Sequence, residues 1–348
     1  MSLSIDIGEP RRPEGVVCQF SGLTKNRRTL LFRHMPSKVR IQFEGARYHV
    51  INRGNYRGDV FVTQEAAESF LRTLAQAAER YEWKVHAYVL MRNHYHLAIE
   101  TPRPNLPEGM HWLQGTFACR FNRFRKQNGR LFQGPYKALL IEDTKSLCRV
   151  VDYIHLNPVR AGAVTAAQVG QYAWSSLKAF RSKKEKRGAV WLTASEWLAA
   201  KGGGKDAAKS MAAYEKHLVE LGNNEAAQKE AGLVKLSQGW AIGTEGWKQA
   251  LARECAQCSK VAEMGLGREE LAEIRNAHNE SALEQALKNS GRREDELKTR
   301  PKMQEWKIAM AREMRQSGVP VAWLAKRLHL GKATTARTAL WQAKRQEA

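Results

Sequence analysis

The stretch KVHAYVLMRNHYHLAIET, residues 84–101, decides how the rest of the chain is read. Two runs rich in apolar, aromatic and β-branched residues, Lys84 to Met91 and His94 to Thr101, flank Arg92-Asn93, and two residues is the length of a tight hairpin connection. Side chains alternate faces along a strand, so Tyr95, Leu97 and Ile99 take the core side while His94 and His96 stand together on the other. Imidazoles two positions apart lie roughly 6.5–7 Å apart along the backbone. Such a pair fits either one shared cation or two ordinary polar positions on a solvated strand face.

Working outward, Ala46 to Gly54 has the texture of a strand, closed by a turn through Asn55 and Gly58. Helical periodicity runs from about Gln64 to Glu82, and again from Leu106 to Gln127. Tyr136 to Glu142 reads as another strand, and Asp143 or Thr144 can cap a helix running towards Pro158. The order strand, helix, hairpin, helix, strand, helix predicts a compact α+β domain, an antiparallel sheet with helices on one face. On the last helix Tyr153 and Asn157 are four apart and share a side. A phenol beside an amide oxygen suits a metal-assisted tyrosine nucleophile, with Asn157 as a third ligand and Mg²⁺ or Mn²⁺ as the ion that suits phosphate chemistry. The same two residues also fit a half-buried helix tyrosine and a helix-ending asparagine. Tyr136, at a strand start with no amide or carboxylate four residues on, ranks behind Tyr153, and His49 reads as structural.

Charge bears on the partner. Fifty-seven Lys and Arg against thirty-five Asp and Glu leave +22, with a sequence pI of about 10.0, a balance that favours a polyanionic partner, with a merely basic soluble protein as the alternative. No apolar run approaches eighteen residues, so no membrane segment is expected. The five cysteines are irregularly spaced, and Cys255-Ala-Gln-Cys258 has no second pair at zinc-finger spacing, so a disulfide framework is not indicated and the cytoplasm fits. Helix 106–127 sets Arg120, Arg123 and Arg125 among phenylalanines; the arginines can face phosphates, and the rings fit core packing or stacking on unpaired bases.

Beyond a charge run at Arg181 to Arg187 and the break Lys201-Gly-Gly-Gly-Lys205, the chain turns Ala-, Glu- and Lys-rich with helical spacing. The last 48 residues carry ten Lys and Arg against three acids. Within them 321–330 and 331–340 have the rhythm of a helix-turn-helix around Gly331. Lys332, Thr334, Thr335 and Arg337 are its candidate DNA contacts, although an ordinary amphipathic helix pair has the same pattern.

These motifs carry a family resemblance. His94-Tyr95-His96 resembles the His-hydrophobe-His motif of the HUH nucleases. Tyr153-Ile-His-Leu-Asn157-Pro-Val-Arg-Ala-Gly162 resembles the nucleophile helix of the REP-associated tyrosine transposases, relatives of the single-strand insertion-sequence transposases. Gly45-Ala-Arg-Tyr-His-Val, Asn52-Arg-Gly54, Gln133-Gly-Pro-Tyr-Lys137 and Tyr172-Ala-Trp-Ser-Ser176 agree in order and spacing, over roughly residues 38 to 180. The resemblance implies a ferredoxin-like core. It also implies a single catalytic tyrosine, Tyr153, a metal on His94, His96 and Asn157, and cleavage of single-stranded or hairpin DNA through a 5′-phosphotyrosine. Lys137 and Arg160, inside the matching motifs, join the candidate DNA contacts. The expected organisation is a loose basic tail over 1–35, the nuclease domain over 36–182, a helical region over 190–300 and a DNA-binding helix-turn-helix over 301–348, in a monomer or homodimer. The competing readings are a non-catalytic DNA-binding regulator and a replication or conjugation initiator. The second lacks its expected nucleotide-binding Gly-Lys-Ser/Thr motif.

Overall fold

The computed structural model describes residues 16–19, 29–32, 40–181, 191–204, 206–256 and 268–345. Most of the expected N-terminal tail, residues 182–187 of the charge run, Lys205 and Cys258 lie outside the described residues. Two short strands, β1 (Val16–Gln19) and β2 (Thr29–Phe32), pair antiparallel with each other.

The central sheet comes from β3 (Ala46–Arg53), β4 (Lys84–Met91), β5 (His94–Thr101) and β6 (Lys137–Ile141). Helix α1 (Gln64–Tyr81) links β3 to β4, and α2 (Leu106–Arg125) links β5 to β6. The spatial order is β4-β5-β3-β6 with every pairing antiparallel, the ferredoxin-like arrangement the motif order implies. Arg92-Asn93 makes the two-residue hairpin turn, with Met91 opposite His94. Phe61, Phe70, Tyr95, Phe117 and Phe132 pack ring against ring on the α1/α2 side, with centroids 4.8 to 6.4 Å apart. The phenylalanine at 117 is therefore core, not a stacking platform.

Helices on one face is an expectation the structure corrects. Helix α3 (Thr144–Arg160), capped by Asp143 accepting from the Ser146 amide at 2.7 Å, covers the opposite face. The reason lies in the strands: Ala87, Val89, Met91, Ala98, Leu139 and Ile141 form a second apolar face, and α3 supplies Leu147, Val150, Val151, Ile154 and Leu156 to it. Burying each large aliphatic is worth roughly 1.5–3 kcal/mol, so neither face can stay wet. The helix also continues through Pro158 to Arg160, although the sequence pattern ends it near the proline.

The second core does not stop at residue 182. Helices α4 (Ser176–Arg181), α5 (Ser195–Ala200), α6 (Ala207–Gly222) and α7 (Glu225–Glu230) follow, and Phe180, Trp197, Leu198, Met211, Tyr214 and Leu218 bury against α3. A buried polar chain fixes this layer. Lys201 Nζ donates to Asp152 at 2.7 Å and Tyr214 Oη to Asp152 at 3.0 Å, while His155 bonds Tyr214 Oη at 2.9 Å and Ser176 Oγ at 2.8 Å. The motif Tyr172 to Ser176 is thus structural: Tyr172 Oη donates to the Leu90 carbonyl at 2.9 Å, and the Trp174 carbonyl accepts from the Leu90 amide, closing the β4 edge. At the far edge a two-residue strand, β7 (Ala241–Ile242), pairs parallel with β6, so the sheet has five strands and is mixed. The sequence predicts no strand there, since two residues are too few to show a period.

The compact units accordingly divide near residue 248: the described residues up to Lys248 fall in one and those from Gln249 onward in the other. Helix α8 (Glu245–Ala256) carries the chain from the first into the second. The second unit holds α9 (Arg268–Ser290), α10 (Glu296–Thr299), α11 (Glu305–Gln316), α12 (Val321–Arg327) and α13 (Ala333–Arg345). One core joins Leu283, Leu287 and Leu297 to Met310, Met314, Leu324, Leu328 and Ala336, so a boundary at 301 would cut through it. No helix among the described residues is long and apolar enough to cross a membrane.

Candidate active site

Strand register assembles the site. His96 of β5 lies opposite Ile51 of β3 and Val89 of β4, His94 lies opposite Arg53 and Met91, and His49 lies opposite Ala98. His49, His94, His96 and Arg53 therefore share the face that α3 covers, and Tyr153 and Asn157 on α3 meet them there. His96 is 4% exposed, so the alternative of two ordinary polar positions on a solvated strand face does not hold for it, and His49 is fully buried. His94 is partly exposed.

The hydrogen bonds settle which nitrogens are available. His49 Nδ1 lies 2.8 Å from the Leu236 carbonyl, which can only accept, so that nitrogen carries the proton. Burial, with Lys137 adding to it, pulls the His49 pKa down to about 4 against the opposing Leu236 bond, so the ring is neutral and its Nε2 is bare. That Nε2 accepts from His96 Nδ1 at 2.9 Å. His96 is itself held well below its ordinary pKa by burial first and then by His49, His94, Arg53 and Arg160. Its Nε2 is left as a lone pair. His94 reaches the same state by another route. Asn93 Nδ2 donates to the Arg57 carbonyl at 3.0 Å, which turns Asn93 Oδ1 towards His94 Nδ1 at 2.9 Å. Burial and then Arg53 lower the His94 pKa to about 4, while a hydrogen bond with Asn157 opposes them. Both imidazoles are thus neutral at pH 7 with Nδ1 donating and Nε2 unprotonated, the form that binds a metal.

The two rings sit edge to face with centroids 5.2 Å apart. The Tyr153 ring stands edge-on to His96 at 5.4 Å and to His49 at 5.5 Å, and no hydrogen bond to a described residue engages its hydroxyl. The Arg160 guanidinium lies over the Tyr153 ring, 4.8 Å from its centroid, and donates to the Leu233 carbonyl at 3.3 Å. Two imidazole nitrogens and the Asn157 amide would offer a mixed N/O donor set of the kind that suits a divalent cation such as Mn²⁺.

The rival nucleophile is placed elsewhere. Tyr136 is buried beneath the Arg40 guanidinium, 3.9 Å from its ring, and burial pushes its phenol up to about 12. The remaining candidates scatter. Arg120 donates to Thr73 at 2.8 Å and to Gln76 at 3.0 Å, tying α2 to α1. Arg123 and Arg125 are exposed at the end of α2, and Lys137 is exposed at the start of β6. Lys332, Thr334, Thr335 and Arg337 lie on α13 or just before it, at the surface around the buried Ala336. Sequence reasoning missed His49, Asn93 and Arg53 as parts of the site. The pairing of β3 with β5 brings His49 and Arg53 to the histidine pair, a register neither strand's sequence states, while Asn93 adjoins His94 in the hairpin turn.

A second acid–histidine group, His86, Glu100 and Glu196, lies at the other end of the strands, roughly 20 Å along β5 from His94. Glu100 is held well below the usual carboxylate range by His86, then by Lys84 at 2.8 Å and Arg47 at 3.0 Å. Arg47 also pairs with Glu196 at 2.7 Å. These carboxylates are already neutralised by cations, so the group is a charge network joining β4, β5 and α5.

Residues 42–157 match the family described as IS200-like transposases, a span that takes in His49, His94, His96, Tyr153 and Asn157. No curated protein matches the chain. Among solved structures, a REP-associated tyrosine transposase bound to a REP hairpin is similar at 18% identity, covering 44% of this chain and 86% of that one, with a TM-score of 0.35. The likeness to the IS200-like transposases spans residues 42–157, about a third of the chain.

Proposed function

We propose that this chain cuts and rejoins single-stranded DNA carrying a hairpin, with Tyr153 as nucleophile and with His94, His96 and Asn157 holding Mg²⁺ or Mn²⁺. The supporting observation is the convergence at one face of two neutral imidazoles, each with Nδ1 engaged and Nε2 unprotonated, beside a phenol whose hydroxyl has no described partner. When bound, the cation polarises the scissile phosphate and stabilises the charge that develops on it.

The chain's own residues do the rest. The Tyr153 oxygen attacks phosphorus and the bond to the 3′-oxygen breaks. A 5′-phosphotyrosine and a 3′-hydroxyl result, the proton lost by the phenol balancing the one gained by the leaving oxygen. The ester bond conserves the phosphodiester's energy, so a second 3′-hydroxyl can reverse the step as strand transfer. Arg160 over the Tyr153 ring and Arg53 beside His94 make the mouth of the site cationic, which favours a phosphate and restrains the ring. His49 is a positioning residue: its bond to the Leu236 carbonyl fixes its own tautomer, and that in turn fixes the tautomer of His96. In the second unit, Lys332, Thr334, Thr335 and Arg337 present a cationic, hydroxyl-bearing helix surface that we assign to duplex DNA, in the manner of a helix-turn-helix.

The test is incubation of the full chain with labelled single-stranded hairpin DNA and Mn²⁺. A protein–DNA adduct stable to denaturation is the expected result. Binding without any adduct, at any metal concentration, would instead favour a non-catalytic regulator.

A further inference from the structure

At residues 54–60 the backbone does something costly. Tyr56 has φ 51° and Arg57 has φ 59°, two consecutive left-handed residues that are not glycine. Each carries a penalty that only surrounding bonds can hold. The bonds are present: Asn55 donates to the Leu131 carbonyl at 2.8 Å, Arg57 to Gly54 at 3.0 Å, Gly58 to Asn55 at 2.8 Å, and Asn93 Nδ2 to Arg57 at 3.0 Å. The turn they maintain pushes the Tyr56 ring outward, where it is 93% exposed.

Across from it, the C-terminal end of α2 and the following loop close a groove of about 470 Å³. Tyr56, Asp59, Phe121, Arg125 and Arg130 line it. Arg125 lies over the Phe121 ring at 5.8 Å. Among the described residues, no carboxylate pairs with Arg57, Arg125 or Arg130, whereas Asp59 is neutralised by two 2.7 Å bonds from Arg92. The groove is therefore cationic with aromatic walls, a combination that fits a ligand with both a flat π face and an anion.

We propose that this groove binds an unpaired nucleotide of single-stranded DNA, its base on Tyr56 and its flanking phosphate on Arg125 and Arg130. The inference rests on the proposed DNA-cutting function. A base within a duplex has its faces covered by its neighbours, so an exposed phenol suits one that is out of the stack. Position supports the same conclusion. Asn93 grips the carbonyl of Arg57 with its amide nitrogen and His94 Nδ1 with its amide oxygen, so one side chain joins the groove's turn to the candidate metal ligand. A nucleotide held here lies on the strand that runs into the active site, and the groove sets which phosphate reaches Tyr153.

The test uses the full chain carrying Tyr153→Phe, to prevent cutting, and hairpin oligonucleotides with 2-aminopurine walked along the single-stranded segment. One position should be quenched on binding. Adding Tyr56→Ala should abolish that quenching and weaken binding by about tenfold or more, and Tyr56→Phe should retain both. Arg130→Gln should lower the slope of log affinity against log salt by about 0.7, one single-strand phosphate contact. Position-specific quenching and affinity unchanged by Tyr56→Ala would overturn the site while leaving the DNA-cutting reading intact. Tighter binding of the equivalent ribo-oligonucleotide would overturn the assignment to DNA. If the chain with the groove unsubstituted binds no single strand at all, the proposed function fails and this site with it.

Discussion

Replacing His49 by Phe tests the site's internal logic without touching a proposed ligand. The new ring is similar in size and stays buried, but it can neither donate to the Leu236 carbonyl nor accept from His96 Nδ1. His96 then has no partner to fix its tautomer or its ring orientation. Loss of such a supporting bond behind a metal ligand costs about 10- to 100-fold in metal affinity, or about 1.4–2.7 kcal/mol. Two buried polar groups are also left unpaired, at about 1–3 kcal/mol each, so the fold should weaken by a few kcal/mol. His49→Gln separates the two effects, since its amide offers one donor and one acceptor to the same neighbours. Mn²⁺ titration followed by electron paramagnetic resonance gives the affinity, and ¹⁵N shifts of the His96 ring report its tautomer. The expected order is wild type close to the Gln variant, with the Phe variant at least tenfold weaker. A folded Phe variant with wild-type Mn²⁺ affinity, or a Gln variant as weak as Phe, refutes the relay.

Four further outcomes are expected. Tyr153→Phe should abolish the covalent adduct while leaving hairpin affinity within about threefold, and an adduct surviving in this variant but lost in Tyr136→Phe would reverse the nucleophile assignment. His94→Ala, His96→Ala or EDTA should each remove cleavage, with Mn²⁺ restoring only the chelated wild type; cleavage in EDTA would refute the metal centre. Stability of the metal-free chain should fall as pH drops from about 6.5 towards 4. His49 and His94 have folded pKa values of about 4 and His155 of about 3, all lowered chiefly by burial. At pH 7 both states are neutral, but below 6.5 the unfolded chain takes up protons that the folded one refuses. Each such histidine then removes about 1.4 kcal/mol per pH unit, readable as a falling urea midpoint. In the second unit, Lys332→Gln with Arg337→Gln should weaken duplex binding and lower the salt slope by about 1.8, two phosphate contacts; an unchanged slope would mean that this surface does not touch DNA. Point substitution is the right perturbation there, because truncation at 301 would remove Met310, Leu324 and Leu328 from a core that begins at Leu283.

The domain that holds the candidate site is legible because its elements are strongly punctuated. A two-residue turn fixes the hairpin, Thr63 and Asp143 cap α1 and α3, and the alternation around His94 assigns Tyr95 to the α1/α2 side. The downstream chain is less legible. Its apolar residues repeat with helical spacing, which says that helices form but not which surface they cover. Trp197, Met211 and Tyr214 look like the core of a separate helical region until Asp152 and His155, two polar residues on the buried side of α3, are seen to need partners. A buried carboxylate must be paired, and here its partners, Lys201 and Tyr214, come from beyond the charge run at 181–187. That requirement is written in the sequence as polar residues at core positions of an amphipathic helix, and it is the sign that the layer around the sheet continues past 182.

The same reasoning explains why His49, outside the hairpin motif, acts together with His96 inside it. A neutral imidazole buried against a partner that can only accept has one tautomer available to it, and a chain of such rings passes that choice along. In this protein the chain starts at the carbonyl of Leu236, on the loop ahead of β7, and ends at the bare Nε2 of His96. The downstream segment therefore does more than cover an apolar face. It supplies the fixed dipole from which the protonation state of the candidate ligand follows, so a shift of Leu236 should reach His96 through His49.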